Sequence, residues 1–327
     1  MRRSLNSRQI RITALWAFSE AFLGGLLHGF KVPFSGLILS AFAAVCMSAL
    51  AMKDHRKGNI IHATVLVLIV KATLSPHTPL TAYFAVSLQG LFGEMIFAAG
   101  IPYSLSCYLN ALFALMQSAF QKLIILTVLF GTDLWKALDE FIASVLKQFG
   151  IHGNDYSIYI ILLYLLIYFI AGLLAGRFSS RLKKIEKIDL KLNPEPQDTV
   201  VHRKKSKLSS PFFLLMVFIA ALLLYDHFNK DLKILPDDRM VHLIIRSFML
   251  VCLWYFILSP LIMQIFKRWL AKKKNAFAEE TAAILILLPE MRSIVVQCWN
   301  LSSVKKGPAR VAAFIRITFT AILSAEK

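Results

Sequence analysis

The chain has 327 residues, of which 57% are hydrophobic and 17% are charged, and its mean hydropathy is +0.62. This composition leaves too little polar surface to cover a water-soluble globule of this size, so we expect a lipid bilayer to solvate much of the chain. Lys and Arg number 37 against 19 Asp and Glu, a formal net charge of +18. The positive charges stand in short runs between long apolar segments, which is typical of cytoplasmic loops and argues against a nucleic-acid-binding surface.

Long apolar stretches recur along most of the sequence. A transmembrane helix needs about 20 mainly apolar residues, and eight stretches come close to or exceed that length. The sequence therefore predicts an all-α, polytopic membrane protein. The predicted spans are 12–30, 33–52, 59–75, 79–99, 102–130, 156–177, 211–226 and 241–266.

The positions of the basic residues predict the orientation of these spans. With the N-terminus in the cytoplasm, basic clusters follow the second, sixth and eighth spans on the cytoplasmic side, in agreement with the positive-inside rule. The opposite orientation would translocate all three clusters. We therefore predict a multi-pass protein of a bacterial cytoplasmic (inner) membrane with both termini in the cytoplasm. The clusters are Lys53, Arg56 and Lys57; Arg177, Arg181, Lys183 and Lys184; and Lys267, Arg268 and Lys272 to Lys274.

Composition divides the chain into four predicted parts. Residues 1–177 form a six-helix transmembrane bundle, and residues 178–210 form a basic cytoplasmic linker. Residues 211–274 form a two-helix transmembrane unit, and residues 275–327 form amphipathic cytoplasmic helices. This division predicts a bundle large enough for a ligand, followed by an anchor that carries a basic tail.

Three segments outside the spans have apolar residues at helical spacing. Residues 131–150 are predicted to form an amphipathic helix on the outer face, where it could act as a lid. Residues 276–301 and 309–324 are predicted to form the two helices of the tail, because Gly307-Pro308 is a helix stop.

Four of the first six spans carry one polar stripe each. An ionisable side chain inside hydrocarbon costs about 2.5–3.5 kcal/mol, so such groups face a bundle interior or a wet cavity. The pattern predicts a pocket for a small polar solute, in which charged groups recognise charge while amides and a Tyr hydroxyl form hydrogen bonds. The predicted ligand-binding residues are Glu20, Lys71, Tyr83, Glu94, Asn110, Gln117 and Gln121.

The same stripes have a structural interpretation. Lys71 could pair with a Glu, and the amides could bond between helices and so hold the bundle together. The protein would then be a membrane scaffold that recruits a cytoplasmic partner through its basic linker and tail. A third possibility, an intramembrane enzyme acting on lipid, would need Glu20, His28 or Glu94 at a lipid-accessible cleft.

The sequence contains no metal-ligand spacing, nucleophile motif or nucleotide-binding motif. We therefore expect neither an enzyme nor a bound metal or cofactor. The expected partners are a small polar solute and membrane lipid, and any ATP-driven transport would require separate subunits.

Small residues recur every four positions on the first span, at Ala17, Ala21, Gly25 and Gly29, a spacing that lets another helix approach closely. Over residues 10–180, this ridge, the six spans and the polar stripes resemble the substrate-binding S component of energy-coupling factor (ECF) vitamin transporters. In that family an alanine repeat on the first helix docks the transmembrane T component, and later helices bind the vitamin. The resemblance implies that the ridge contacts a transmembrane partner and that ATPase subunits supply energy.

The C-terminal part resembles the coupling helices of T components, which carry X-Arg-X motifs that contact ATPase subunits. The matching segments are Met291-Arg292-Ser293 and Ala309-Arg310-Val311, although the family's usual Ala-Arg-Gly form is absent. The resemblance implies that Arg292 and Arg310 contact such a partner. An amphipathic tail that lies on the membrane is the alternative.

Overall fold

In the computed structural model, most of the described residues lie in helices. No strand occurs among the described residues, so the predicted all-α class is confirmed for them. The chain divides into two compact units, of which unit 1 comprises 1–121, 161–197 and 267–327, and unit 2 comprises 122–160 and 198–266. The described residues are 5–25, 34–53, 56–75, 78, 80–148, 150, 156–185, 253, 261–262, 264–265, 268 and 277–324.

The helices have conventional ends where the sequence supplies caps. The first begins with a capping box, in which the Asn6 side chain accepts from the Gln9 backbone N–H at 2.8 Å and the Gln9 side chain accepts from the Asn6 N–H at 3.1 Å. In chain order the helices are α1 Ser7–Phe18, α2 Ser35–Leu50, α3 Asn59–Leu74, α4 Leu80–Ala98, α5 Tyr103–Phe130, α6 Asp133–Lys147, α7 Tyr156–Ser180, α8 Leu182–Ile185, α9 Ala278–Leu301 and α10 Pro308–Ser324.

Four helices of the described residues are long and apolar enough to cross a membrane, namely Leu80–Ala98, Tyr103–Phe130, Tyr156–Lys184 and Ala278–Val304. The first three coincide with the predicted fourth, fifth and sixth spans. The predicted second and third spans are present as the shorter apolar helices α2 and α3. The predicted first span begins in α1, and the last two lie largely outside the described residues. The count of about eight spans therefore stays a prediction.

Helix α1 is the central element of unit 1. It contacts α2, α3, α9 and α10, and every residue from Ile12 to Ala21 is buried. It continues beyond Phe18 as a π-helical turn, Ser19–Leu23. Since a helix buried on all sides fixes the positions of its neighbours, α1 organises the core of this unit.

Helix α9 packs against α1 within unit 1. Glu280 accepts from the Leu5 N–H at 3.1 Å and lies 2.6 Å from His62 Nε2, and Arg11 donates to Glu290 at 2.7 Å. The prediction separated residues 275–327 from the bundle because an apolar helical face does not identify what it packs against. Whether the segment is cytoplasmic stays a prediction. The buried positions of α9 are Thr281, Ile284, Leu288, Met291, Ile294 and Cys298.

A close approach between α3 and α4 depends on a glycine. A Cβ added at Gly90 would lie 2.1 Å from Thr64 Oγ1 and 2.6 Å from its Cγ2. The Thr64 hydroxyl is itself bonded to the Ile60 carbonyl at 2.6 Å, and a β-branched side chain in a helix has little rotamer freedom. The two helices can therefore keep this separation only with Gly at position 90.

We expect Gly90→Ala to lower the thermal denaturation midpoint of the detergent-solubilised protein, because overpacking costs about 1–3 kcal/mol and outweighs the better helix propensity of Ala. Thr64→Ala should reduce this loss, since it removes the two atoms nearest to the new methyl group. The control is Gly25→Ala, where no atom lies within 4 Å of the added Cβ, so the midpoint should not fall. If Gly90→Ala caused the same loss with and without Thr64→Ala, the packing argument would be wrong.

Candidate solute-binding site

A buried ion pair joins α1 to α3. Lys71 Nζ donates to Glu20 Oε2 at 2.6 Å, and the two side chains are only 5% and 4% exposed. Taking two charges out of water is costly, and their attraction offsets this cost only while both partners are present. The pair is therefore a strong constraint on how these two helices meet.

Glu20 lies in the π-helical turn that extends α1. Within this turn the Gly24 N–H bonds to the Ser19 carbonyl, and the Ser19 hydroxyl bonds to the Trp16 carbonyl at 2.8 Å. A π-turn inserts one extra residue into a helix and often marks a functional site. Here the extra residue sets where the carboxylate projects from α1, next to Lys71 in the last turn of α3.

Three glutamines form a directed chain between α4 and α5. Gln89 Nε2 donates to Gln117 Oε1 at 3.1 Å, and Gln117 Nε2 donates to Gln121 Oε1 at 3.0 Å. Gln121 Nε2 then donates to the Thr81 carbonyl at 3.0 Å, and Gln89 also reaches Ser40 Oγ at 3.0 Å. The chain extends the polar interior from α2 to the start of α4.

Sequence reasoning missed Gln89, because it lies on a different face of the fourth span from Tyr83 and Glu94, which were predicted to bind ligand. The signal was present, since an amide in the middle of an apolar helix needs a hydrogen-bond partner and the fifth span offers a row of amides. The structure brings together Gln117 and Gln121, which the sequence did predict, and adds Gln89 to them.

Glu94 caps the start of α3. Its carboxylate accepts from the backbone N–H groups of Gly58 at 2.6 Å, Ile60 at 3.0 Å and Ile61 at 3.4 Å. Gly58 has a φ of 95°, where a side chain would be strained. An anionic group is favourable at a helix N-terminus, which has unsatisfied N–H groups and a partial positive charge.

The structure therefore separates Glu94 from the other charged residues predicted to bind ligand. Glu94 bonds to the first turn of α3, whereas Lys71 lies in the last turn. Lys71 lies ten positions after Ile61, which corresponds to about 15 Å along a helix. A small solute held by Lys71 would not also contact the capped end of α3.

The two remaining residues predicted to bind ligand, Tyr83 and Asn110, lie in different parts of unit 1. The Tyr83 hydroxyl donates to the Ser75 carbonyl at 3.5 Å, one turn beyond Lys71. Asn110 Nδ2 donates to the Ala44 carbonyl at 3.0 Å and ties α5 to α2. The Tyr83 hydroxyl thus lies near the same end of α3 as Lys71, whereas the contact of Asn110 links α5 to α2.

Two of the four small residues in the predicted ridge, Ala17 and Ala21, are buried within the chain. Ala17 is 0% exposed and Ala21 is 8% exposed, so neither side chain is available to another protein in this conformation. Gly25 is exposed, and Gly29 lies outside the described residues.

The two arginines predicted to contact a partner differ in setting. Arg292 is exposed on α9. Arg310 stacks on Trp299, with its guanidinium carbon 4.2 Å from the ring centroid, and donates to the Trp299 carbonyl at 3.5 Å. Arg310 thus helps to hold α10 against the end of α9.

Within the described part of the chain, no three His, Cys, Asp or Glu side chains are grouped so that they could hold a metal ion.

We expect Glu20→Gln and Lys71→Met each to lower the thermal denaturation midpoint, because each leaves one charge buried without its partner, a loss of about 3–5 kcal/mol. The double variant should recover most of the loss, since no uncompensated charge remains. The midpoint is measured for the wild type, both single variants and the double variant. Each protein is heated in detergent, and size-exclusion chromatography monitors the folded fraction that remains. A double variant whose loss equals the sum of the two single losses would show that the two side chains are not coupled.

Comparison with protein-family models, curated proteins and solved structures finds no match to this chain.

Proposed function

We propose that this chain is a membrane subunit that binds a small polar solute, such as a vitamin or a vitamin precursor, and takes part in its import. The observation that carries this proposal is the Glu20–Lys71 ion pair. Lys71 Nζ lies 2.6 Å from Glu20 Oε2, and both side chains are buried. Charged residues inside a membrane bundle are costly and often mark the path of an ion or substrate.

Other polar groups near that end of α3 support a binding site. Tyr83 bonds to Ser75, the residue after α3 ends, and Gln121 bonds to Thr81 at the start of α4. A solute that carries a carboxylate could replace Glu20 on Lys71, and one that carries an ammonium group could replace Lys71 on Glu20. Either exchange alone would leave the displaced side chain buried without an opposite charge. A zwitterionic solute that contacts both Lys71 and Glu20 would compensate both charges, so its binding would be far less costly than simple separation of the pair.

The proposed membrane is a bacterial cytoplasmic membrane, with both termini in the cytoplasm. The long apolar helices α4, α5 and α7 and the shorter apolar helices α2 and α3 support a multi-pass arrangement. In this orientation α3 begins on the cytoplasmic side after Lys53, Arg56 and Lys57, so Lys71 lies toward the outer side. Solute would enter from there. Following the ECF resemblance, we further propose that separate ATPase subunits supply the energy.

The double variant Glu20→Gln/Lys71→Met tests the binding site because its charges are removed together. Among a panel of vitamins and precursors, at least one should raise the denaturation midpoint of the wild type but not that of this variant. The matched control is Asp133→Asn/Lys136→Met, which removes an exposed ion pair of the same charges and should leave the response to solute unchanged. An undiminished shift in the double variant, or no shift with any solute, would contradict the proposal.

A membrane scaffold is the second candidate function. It is favoured by the bonds of Glu94 and Asn110, which hold helices together rather than pointing to a ligand. In this case the basic linker 178–210 and the segment 275–327 would recruit a cytoplasmic partner, and the ion pair would be part of the packing.

Affinity purification of the full-length chain from its native membranes separates the two candidates. A transport subunit should co-purify with an ATPase subunit, and Arg292→Ala should lower the recovery several-fold because Arg292 is exposed on α9. Lys306→Ala, which removes another exposed positive charge, serves as the control. Recovery of a non-ATPase partner together with no solute response would favour the scaffold.

A further inference from the structure

Helix α6 has two chemically different faces and no buried residue. Apolar side chains occupy one side, and Asp133, Lys136, Glu140 and Lys147 occupy the other. A helix with this composition has an apolar face that requires a cover, because a soluble protein seldom exposes a continuous apolar patch. The apolar residues are Leu134, Leu138, Phe141, Ile142 and Val145.

Two side-chain contacts fix α6 to the neighbouring helices within unit 2. Trp135 Nε1 donates to Thr127 Oγ1 near the end of α5 at 3.1 Å. Asp139 accepts from the Ser157 backbone N–H at 2.5 Å and from its hydroxyl at 2.9 Å, at the start of α7. The second contact also satisfies an N–H of the first turn of α7. Helix α6 is therefore attached to both of the helices that it connects.

These contacts leave part of the apolar face without a partner among the described residues. Phe141 is 66% exposed and Val145 is 39% exposed. The adjoining helix ends expose apolar side chains as well, with Val128 of α5 at 54% and Ile158 of α7 at 54%. The described part of unit 2 is thus apolar on the outside at several positions, a pattern that suits hydrocarbon better than water.

The flanking helices α5 and α7 indicate what covers the apolar face of α6. The candidate spans that precede and follow α6 have 28 and 29 residues, so α6 lies where two spans leave the hydrocarbon. Trp135 and Tyr159 stand near the ends of these spans, and Tyr159 is 68% exposed. Trp and Tyr are enriched at the membrane–water interface because their rings are amphipathic.

We infer that α6 lies in the membrane–water interface, with Phe141 and Val145 inserted between lipid chains and its charged face in water. The partner of this surface is lipid. Interfacial helices typically bury their apolar face about 5–10 Å into the boundary between headgroups and acyl chains. The inference depends on α5 and α7 spanning the membrane and is independent of any solute bound in unit 1.

Spin labelling of the full-length protein in liposomes tests this placement. The probes are Phe141→Cys and Val145→Cys on the apolar face, and the matched control is Ser144→Cys, an exposed position on the polar face. Labelled wild type gives the background from the native cysteines, of which Cys46, Cys107 and Cys298 are buried. Collisions of the nitroxide with oxygen report contact with lipid, and collisions with a water-soluble nickel chelate report contact with water.

We expect the ratio of oxygen to nickel accessibility to be several-fold higher at 141 and 145 than at 144. Because Phe141 is mostly exposed, its replacement should leave the fold intact, and Val145→Cys provides a second readout. High nickel accessibility at both probes would mean that water covers the face, and low accessibility to both reagents would mean that protein covers it. Either result would overturn the inference.

Discussion

The bond between Glu20 and Lys71 determines much of the geometry of unit 1. Neither charge can be left alone in an apolar interior, so the π-turn of α1 and the last turn of α3 must stay together. This requirement fixes the rotation of α1, whose other faces are then covered by α2, α9 and α10. The glutamine chain from α4 to α5 adds a second polar contact that tolerates little displacement, since each amide donates to the next. The interior is thus specified by directional bonds as well as by apolar packing.

Much of this arrangement could be predicted from the sequence, because apolar length and helical spacing are local properties. The helices from α2 to α7 lie where the sequence placed them, and Glu20, Lys71, Gln117 and Gln121 were recognised as unusual residues for an apolar helix. The partner of each polar group could not be predicted. Glu94 caps a helix through Gly58, which lies 36 positions before it, and only the way α3 and α4 pack, made possible by Gly90, brings that helix end within reach.

The C-terminal helices illustrate the same limit. The helical spacing of their apolar residues and the stop at Gly307-Pro308 could be recognised in the sequence. Helices α9 and α10 form on either side of that stop. The surface that α9 contacts could not be predicted from the sequence, because an apolar stripe flanked by charges is compatible with packing on lipid and with packing on a protein core. Glu280 and Glu290 distinguish these cases only when Leu5, His62 and Arg11 are seen beside them.

The bonds between α9 and the N-terminal helices have a consequence for biogenesis. Leu5 and Glu280 are 275 positions apart, and Arg11 and Glu290 are 279 positions apart. Helix α1 thus finds part of its cover only after α9, which lies much later in the chain, has been synthesised. Contacts between such distant positions form late and slowly. Until then the polar groups of α1 and α3 that bond to α9 would remain exposed to lipid, water or a chaperone, so the nascent chain passes through a long interval in which its core is incomplete.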